Sequence, residues 1–200
     1  MAIKSIVSLI AATAALMTPA AAFAHTGLGE TGGLVHGFMH PVGGLDHVLA
    51  MVMVGLLAAE IGGRALWLVP ATFVAVMALG GALGVAGLPL PFVEIGIALS
   101  VVVLGGMVAL SRETSMLAAA GIVGLFAVFH GYAHGAEMPA DADGLAYAGG
   151  FMAATALLHA AGIGLGMAAA RLNTVTGPLL VRSAGALAAV AGLGLLAGTL

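Results

Sequence analysis

Hydrophobic residues fill this chain in six long stretches, separated by short polar or glycine- and proline-rich breaks. The stretches fall at about 32–59, 65–86, 91–110, 115–136, 145–170 and 179–199, each near the ~20 residues a helix needs to cross a bilayer. The breaks are Gly62-Gly63, Gly87-Leu88-Pro89-Leu90-Pro91, Ser111-Arg112-Glu113, Pro139 to Gly144 and Asn173 to Pro178. The pattern predicts an all-α integral membrane protein with about six transmembrane helices.

A shorter pattern precedes the six stretches. Lys4 supplies a positive start, Ile6 to Met17 a short apolar run, Pro19 a break, and Ala22-Phe23-Ala24 a small-x-small site. This is the layout of a secretory signal peptide. Residues 1–24 are therefore expected to be removed, leaving 25–200 as a single six-helix domain that begins at His25. The competing reading is an uncleaved first anchor helix. Cleavage would set a bare α-amine beside the His25 imidazole, a pair able to collect metal weakly.

The arginines set the expected orientation. With residue 25 outside, Arg64, Arg112, Arg171 and Arg182 all fall in loops on the inner side, while the outer segments carry Glu30, Asp141 and Asp143. That is a positive-inside pattern. With an even number of spans, it puts both mature termini on the outer side of the membrane.

Composition narrows the class further. The chain is 62% hydrophobic and only 6% charged, against about a quarter charged in soluble domains. Its 32 glycines suit close helix packing, and small-xxx-small spacings recur at Gly33/Gly37, Gly80/Gly84, Gly131/Gly135, Gly162/Gly166 and Gly194/Gly198. Such faces also allow a homo-oligomer. There is no cysteine, which excludes disulfides and thiolate metal sites. A net charge of −3 without a basic tract gives no reason to expect nucleic acid. No Gly-x-x-x-x-Gly-Lys-Ser/Thr motif occurs, so the chain carries no P-loop for ATP.

Against this apolar background stand seven histidines. Ionisable groups inside a bilayer are costly and mark functional sites by default. His36, His40 and His47 are spaced by four and seven, which on one continuous helix puts them within roughly 40° of each other. Asp46 points about 100° away, toward an adjacent helix or a supporting role. Pro41 removes a helix hydrogen bond to Gly37, and Gly43-Gly44 weaken the next turn, so a broken helix is expected here. Discontinuous helices of this kind build ion sites in transporters. The bland reading is a proline kink whose histidines bond to neighbouring helices.

A second cluster, His130, His134 and Glu137, shares one face near the outer surface, below Asp141 and Asp143. The bland reading there is a polar cap on a helix end. His159 stands alone in the fifth stretch, either packed and hydrogen-bonded or passing an ion inward. Glu94, after Pro91, either joins the site or faces the headgroups. Glu30 and Glu60 read as interfacial. Met39, Met51, Met53 and Met138 lie near the path, but methionine more often fills gaps. Imidazole and carboxylate together suit a divalent transition metal. Neutral imidazole is the ligand, so protons compete with metal below about pH 6.5.

His40-Pro41-Val42-Gly43-Gly44-Leu45-Asp46-His47 resembles the His-Pro-x-x-Gly-x-Asp-His signature of the HupE/UreJ family of small nickel and cobalt permeases. Phe129-His130-Gly131-Tyr132-Ala133-His134-Gly135-Ala136-Glu137 is similar to that family's second motif, in its fourth helix. The resemblance spans essentially the whole chain. It implies a secondary transporter that carries Ni²⁺ or Co²⁺ across the inner membrane as a transiently bound ion, with no prosthetic group. It also implies a link to hydrogenase, urease or cobalamin metabolism. Two other classes remain open: a histidine-box di-iron metalloenzyme, which also uses His-x-x-x-His pairs, and a metal sensor or storage protein. No His-His doublet and no His-Glu-x-x-His occurs in the chain. Cytosolic metal accumulation would separate transport from both.

Overall fold

The computed structural model describes residues 33–111, 113–139 and 143–198. The expected signal peptide, His25, Glu30, Arg112 and Asp141 lie outside the described residues.

The described residues form α-helices and no strand: α1 (Gly33–Gly43), α2 (Leu45–Ile61), α3 (Ala65–Val85), α4 (Val93–Leu110), α5 (Met116–Ala136), α6 (Gly144–Ala170) and α7 (Thr176–Leu196). Helices α3 to α7 are each long and apolar enough to cross a bilayer, and α1 with α2 passes the same test as a pair bent by 83°. The expected all-α membrane architecture of about six spans is therefore present, with its first span broken.

The break corrects the single-helix reading of residues 32–59. The helix runs through Pro41 to Gly43 and stops at Gly44, which is extended at φ −96° and ψ 121°. Pro41 is buried and costs only one backbone bond near the end of a short helix. The turn is made at Gly44, the second of the paired glycines, whose extended backbone separates the two helices. Consequently His36 and His40 belong to one helix, Asp46 and His47 to another, and the common helical face does not exist.

The other boundaries follow local chemistry. Ser115 caps α5 by accepting from the backbone of Ala118, and Asp143 caps α6 by accepting from Leu145 and Ala146. Asp143, expected in an acidic rim, thus has a structural partner. The last helix begins at Thr176 rather than beyond Pro178. A proline in the first turn forfeits only an N–H that has no helical partner. The side chain of Asn173 accepts from Val175 and Thr176 just ahead of it.

Glycine faces then assemble the bundle. A Cβ on Gly131 or Gly135 would run into the backbone of Met77 or Gly81, and one on Gly80 or Gly84 into Val128 or Tyr132. So α3 and α5 touch backbone to backbone through two of the small-xxx-small pairs anticipated above. Gly37 and Gly150 bring α1 onto α6, Gly55 and Gly162 bring α2 onto α6, and Gly105 and Gly185 bring α4 onto α7. Helix α2 sits at the centre, with Ala50, Met51, Val54 and Ala58 fully buried. Met51 and Met53 are core residues. Large apolar side chains such as Leu79, Leu117, Leu125, Leu187 and Val190 point outward, as a hydrocarbon surrounding requires.

Candidate metal-binding site

Two close helix crossings define the site. The α1–α2 break delivers His40 and His47, and the glycine-tight α3–α5 contact holds His130 and His134 in the last two turns of α5. The ring of His47 lies 4.8 Å from that of His130 and 4.7 Å from that of His134. The ring of His40 lies 4.9 Å from that of His134. The two motifs, more than eighty residues apart in the chain, thus form one imidazole cluster.

His130 and His134 are fully buried and His47 is nearly so, while His40 is partly exposed. Nε2 of His47, Nδ1 of His130 and both nitrogens of His134 are buried without a hydrogen-bond partner. Native interiors rarely leave such atoms unmatched. Three imidazoles, each with one lone-pair nitrogen to offer, gathered in one place are what a cation seeking lone pairs requires.

Carboxylates hold two of the rings. An oxygen of Asp46 lies 2.9 Å from Nδ1 of His47 and accepts from the His47 backbone N–H at 2.8 Å. A carboxylate can only accept, so Nδ1 carries the hydrogen and Nε2 keeps its lone pair. Asp46 sits in the first turn of α2, where free backbone N–H groups favour an anion. Carboxylate–imidazole pairs of this kind orient metal ligands and raise their basicity. Glu137, at the end of α5, lies 3.1 Å from Nε2 of His40 and is exposed. Among the described residues no three His, Asp or Glu side chains stand in mutual metal-holding geometry; the imidazoles meet edge to face or tilted.

The remaining expected residues lie around this cluster. His36 is exposed, with its ring 5.9 Å from Tyr147. His159 is buried with both nitrogens unpartnered, yet Phe73 stands between it and the cluster, 5.1 Å from His159 and 5.6 Å from His130. Glu94 is exposed in the first turn of α4, and no hydrogen bond or ion pair among the described residues joins it to the cluster. Three site neighbours escaped the sequence reading. Tyr147 packs against His36 and His40, Phe151 stacks on His134, and Ser100 bonds to Nε2 of His130. A lone hydroxyl in a helix whose other polar side chain is the terminal Glu94 was the only signal for Ser100.

Among the described residues, cavities flank the bundle at opposite ends. One of about 590 Å³ lies between α3, α5 and α6 beside Met138, Asp143, Tyr147 and Phe151. The other, of about 510 Å³, lies at the arginine-bearing end and is lined by Glu60, Ser111, Glu113 and Pro178. There Ser111 donates to Glu60 at 2.5 Å and Arg182 donates to the carbonyl of Ala109 at 3.0 Å.

Fold and site together define a multi-pass helical membrane protein with a buried, carboxylate-supported imidazole cluster. Residues 13–195 match the family described as HupE / UreJ protein. The chain is also 48% identical over 185 residues to Protein HupE of Rhizobium leguminosarum bv. viciae, covering 92% of this chain and 95% of that one. The chain belongs to the HupE/UreJ family, which is associated with metal transport rather than catalysis. No solved structure is significantly similar to it.

Proposed function

We propose that this protein is a secondary transporter that imports Ni²⁺ or Co²⁺ across the bacterial inner membrane. The observation that carries the reading is the set of unpartnered ring nitrogens on His47, His130 and His134, gathered at the broken first span. Nitrogen donors with carboxylate support suit Ni²⁺ and Co²⁺, and the absence of thiols disfavours Cu(I) as intended cargo. His25 and the acidic outer segment collect the ion. His40 and Glu137, at the exposed edge, pass it to His47, His130 and His134, while Asp46 holds His47 in its metal-binding tautomer. The partial negative charge at the C-terminal end of α5 favours a cation at the same point. His159 receives the ion once it has passed Phe73, and the cavity beside Glu60 lies farther along, at the cytoplasmic end. His36 and Glu94 lie at the margin of this path. Affinity stays modest so that the ion can leave. Membership of the family supports a functional link to hydrogenase, urease or cobalamin metabolism.

Uptake of radiolabelled Ni²⁺ and Co²⁺ by cells expressing the wild type, His47→Ala or empty vector tests the reading. Uptake of at least one ion is expected in the wild type and background levels in the mutant, at equal amounts of membrane protein. Equal accumulation in all three would overturn it.

A further inference from the structure

Ser100 is fully buried in α4, a helix that carries none of the histidines. Its hydroxyl oxygen lies 2.6 Å from the carbonyl oxygen of Ile97 and 2.8 Å from Nε2 of His130. Two oxygens this close repel each other unless a hydrogen lies between them, and a carbonyl has none to give. The single Ser100 proton is therefore committed to Ile97. Only lone pairs remain on the hydroxyl, so the bond to His130 exists only with the hydrogen on Nε2. A neutral imidazole has one N–H. Nδ1 of His130 is then a bare lone pair, and it is the atom found buried without a partner.

We propose that Ser100 is a positioning residue that locks His130 in the Nε2–H tautomer and so makes Nδ1 its metal-binding atom. The opposite tautomer would bury an N–H with no acceptor. His47 and His130 are thus held by opposite ring atoms: Asp46 grips Nδ1 of the first, and Ser100 grips Nε2 of the second. The metal-binding part of this inference rests on the cluster being a cation site, whereas the tautomer does not.

The test uses the purified full chain in detergent, labelled with ¹⁵N-histidine, without metal. The His130 signals are identified by difference from His130→Gln. The wild type is expected to show a protonated Nε2 and an unprotonated Nδ1. Ser100→Ala is expected to give a mixture of tautomers and to weaken Ni²⁺ binding roughly 10–100-fold, as loss of a ligand's supporting partner does. Ser100→Thr, which keeps the hydroxyl, is expected to restore both. A protonated Nδ1 in the wild type would overturn the proposal. So would an unchanged tautomer and unchanged Ni²⁺ affinity in Ser100→Ala. If Ser100→Ala fails to fold, the wild-type and Ser100→Thr spectra still decide. A wild type with the expected tautomer but no affinity for Ni²⁺ would uphold the lock and overturn the cation site.

Discussion

The chemistry of single residues turns on which ring nitrogen is free. Asp46 accepts from both the ring and the backbone of His47, so one carboxylate orients the imidazole and neutralises the start of α2. Asp46→Asn keeps an acceptor of similar shape but loses the charge that raises the basicity of His47. Metal affinity is expected to fall roughly 10–100-fold with the fold intact, as read by Ni²⁺ titration of purified protein alongside circular dichroism. Undiminished affinity would show that the pair does not tune the site. Both members of this pair were legible in the sequence, because they adjoin one another within one motif. Ser100 was not: it lies thirty residues from His130, and no spacing rule links different helices.

At the scale of elements, the first span shows how much a glycine can decide. A Cβ on Gly44 would come within 2.7 Å of the Asp46 carboxylate and 3.2 Å of Nδ1 of His47, while one on Gly43 would meet nothing within 4 Å. The atoms struck at Gly44 are side-chain ends, which can move aside. Gly44→Ala is therefore expected to displace the Asp46–His47 pair and cut Ni²⁺ uptake several-fold while leaving the bundle folded. Gly43→Ala is expected to retain uptake. Equal uptake by the two variants would rule out this account of the break. The sequence suggested a break near Pro41 because proline removes a helix bond. It could not show that the helix would continue through Gly43, since that depends on α1 packing against α6.

For the whole molecule, the two cavities give the bundle a direction. Helix order puts the histidine cluster and the cavity beside Asp143 at one end, and Arg64, Arg171 and Arg182 near the other. On the proposed orientation, in which positive charge stays inside, the arginine end faces the cytoplasm. The chain has no cysteine, so any introduced thiol is a unique reporter. In intact cells an impermeant maleimide is expected to label Leu88→Cys, between α3 and α4, and to spare Thr174→Cys, between α6 and α7. The reverse pattern would invert the proposed direction of import.

Hydropathy and motif spacing are local properties, and they determined the local features of this protein. These were the all-α class, the spans to within a few residues, the two His-rich motifs and the family they resemble. What only the tertiary structure decided depends on glycine faces that meet across the bundle. The α3–α5 and α1–α6 contacts merge the two motifs into one imidazole cluster, leave His36 and Glu94 outside it, and set Phe73 between it and His159. Backbone contact of this kind depends on which helices lie side by side, and the order of residues along one helix does not encode its neighbour.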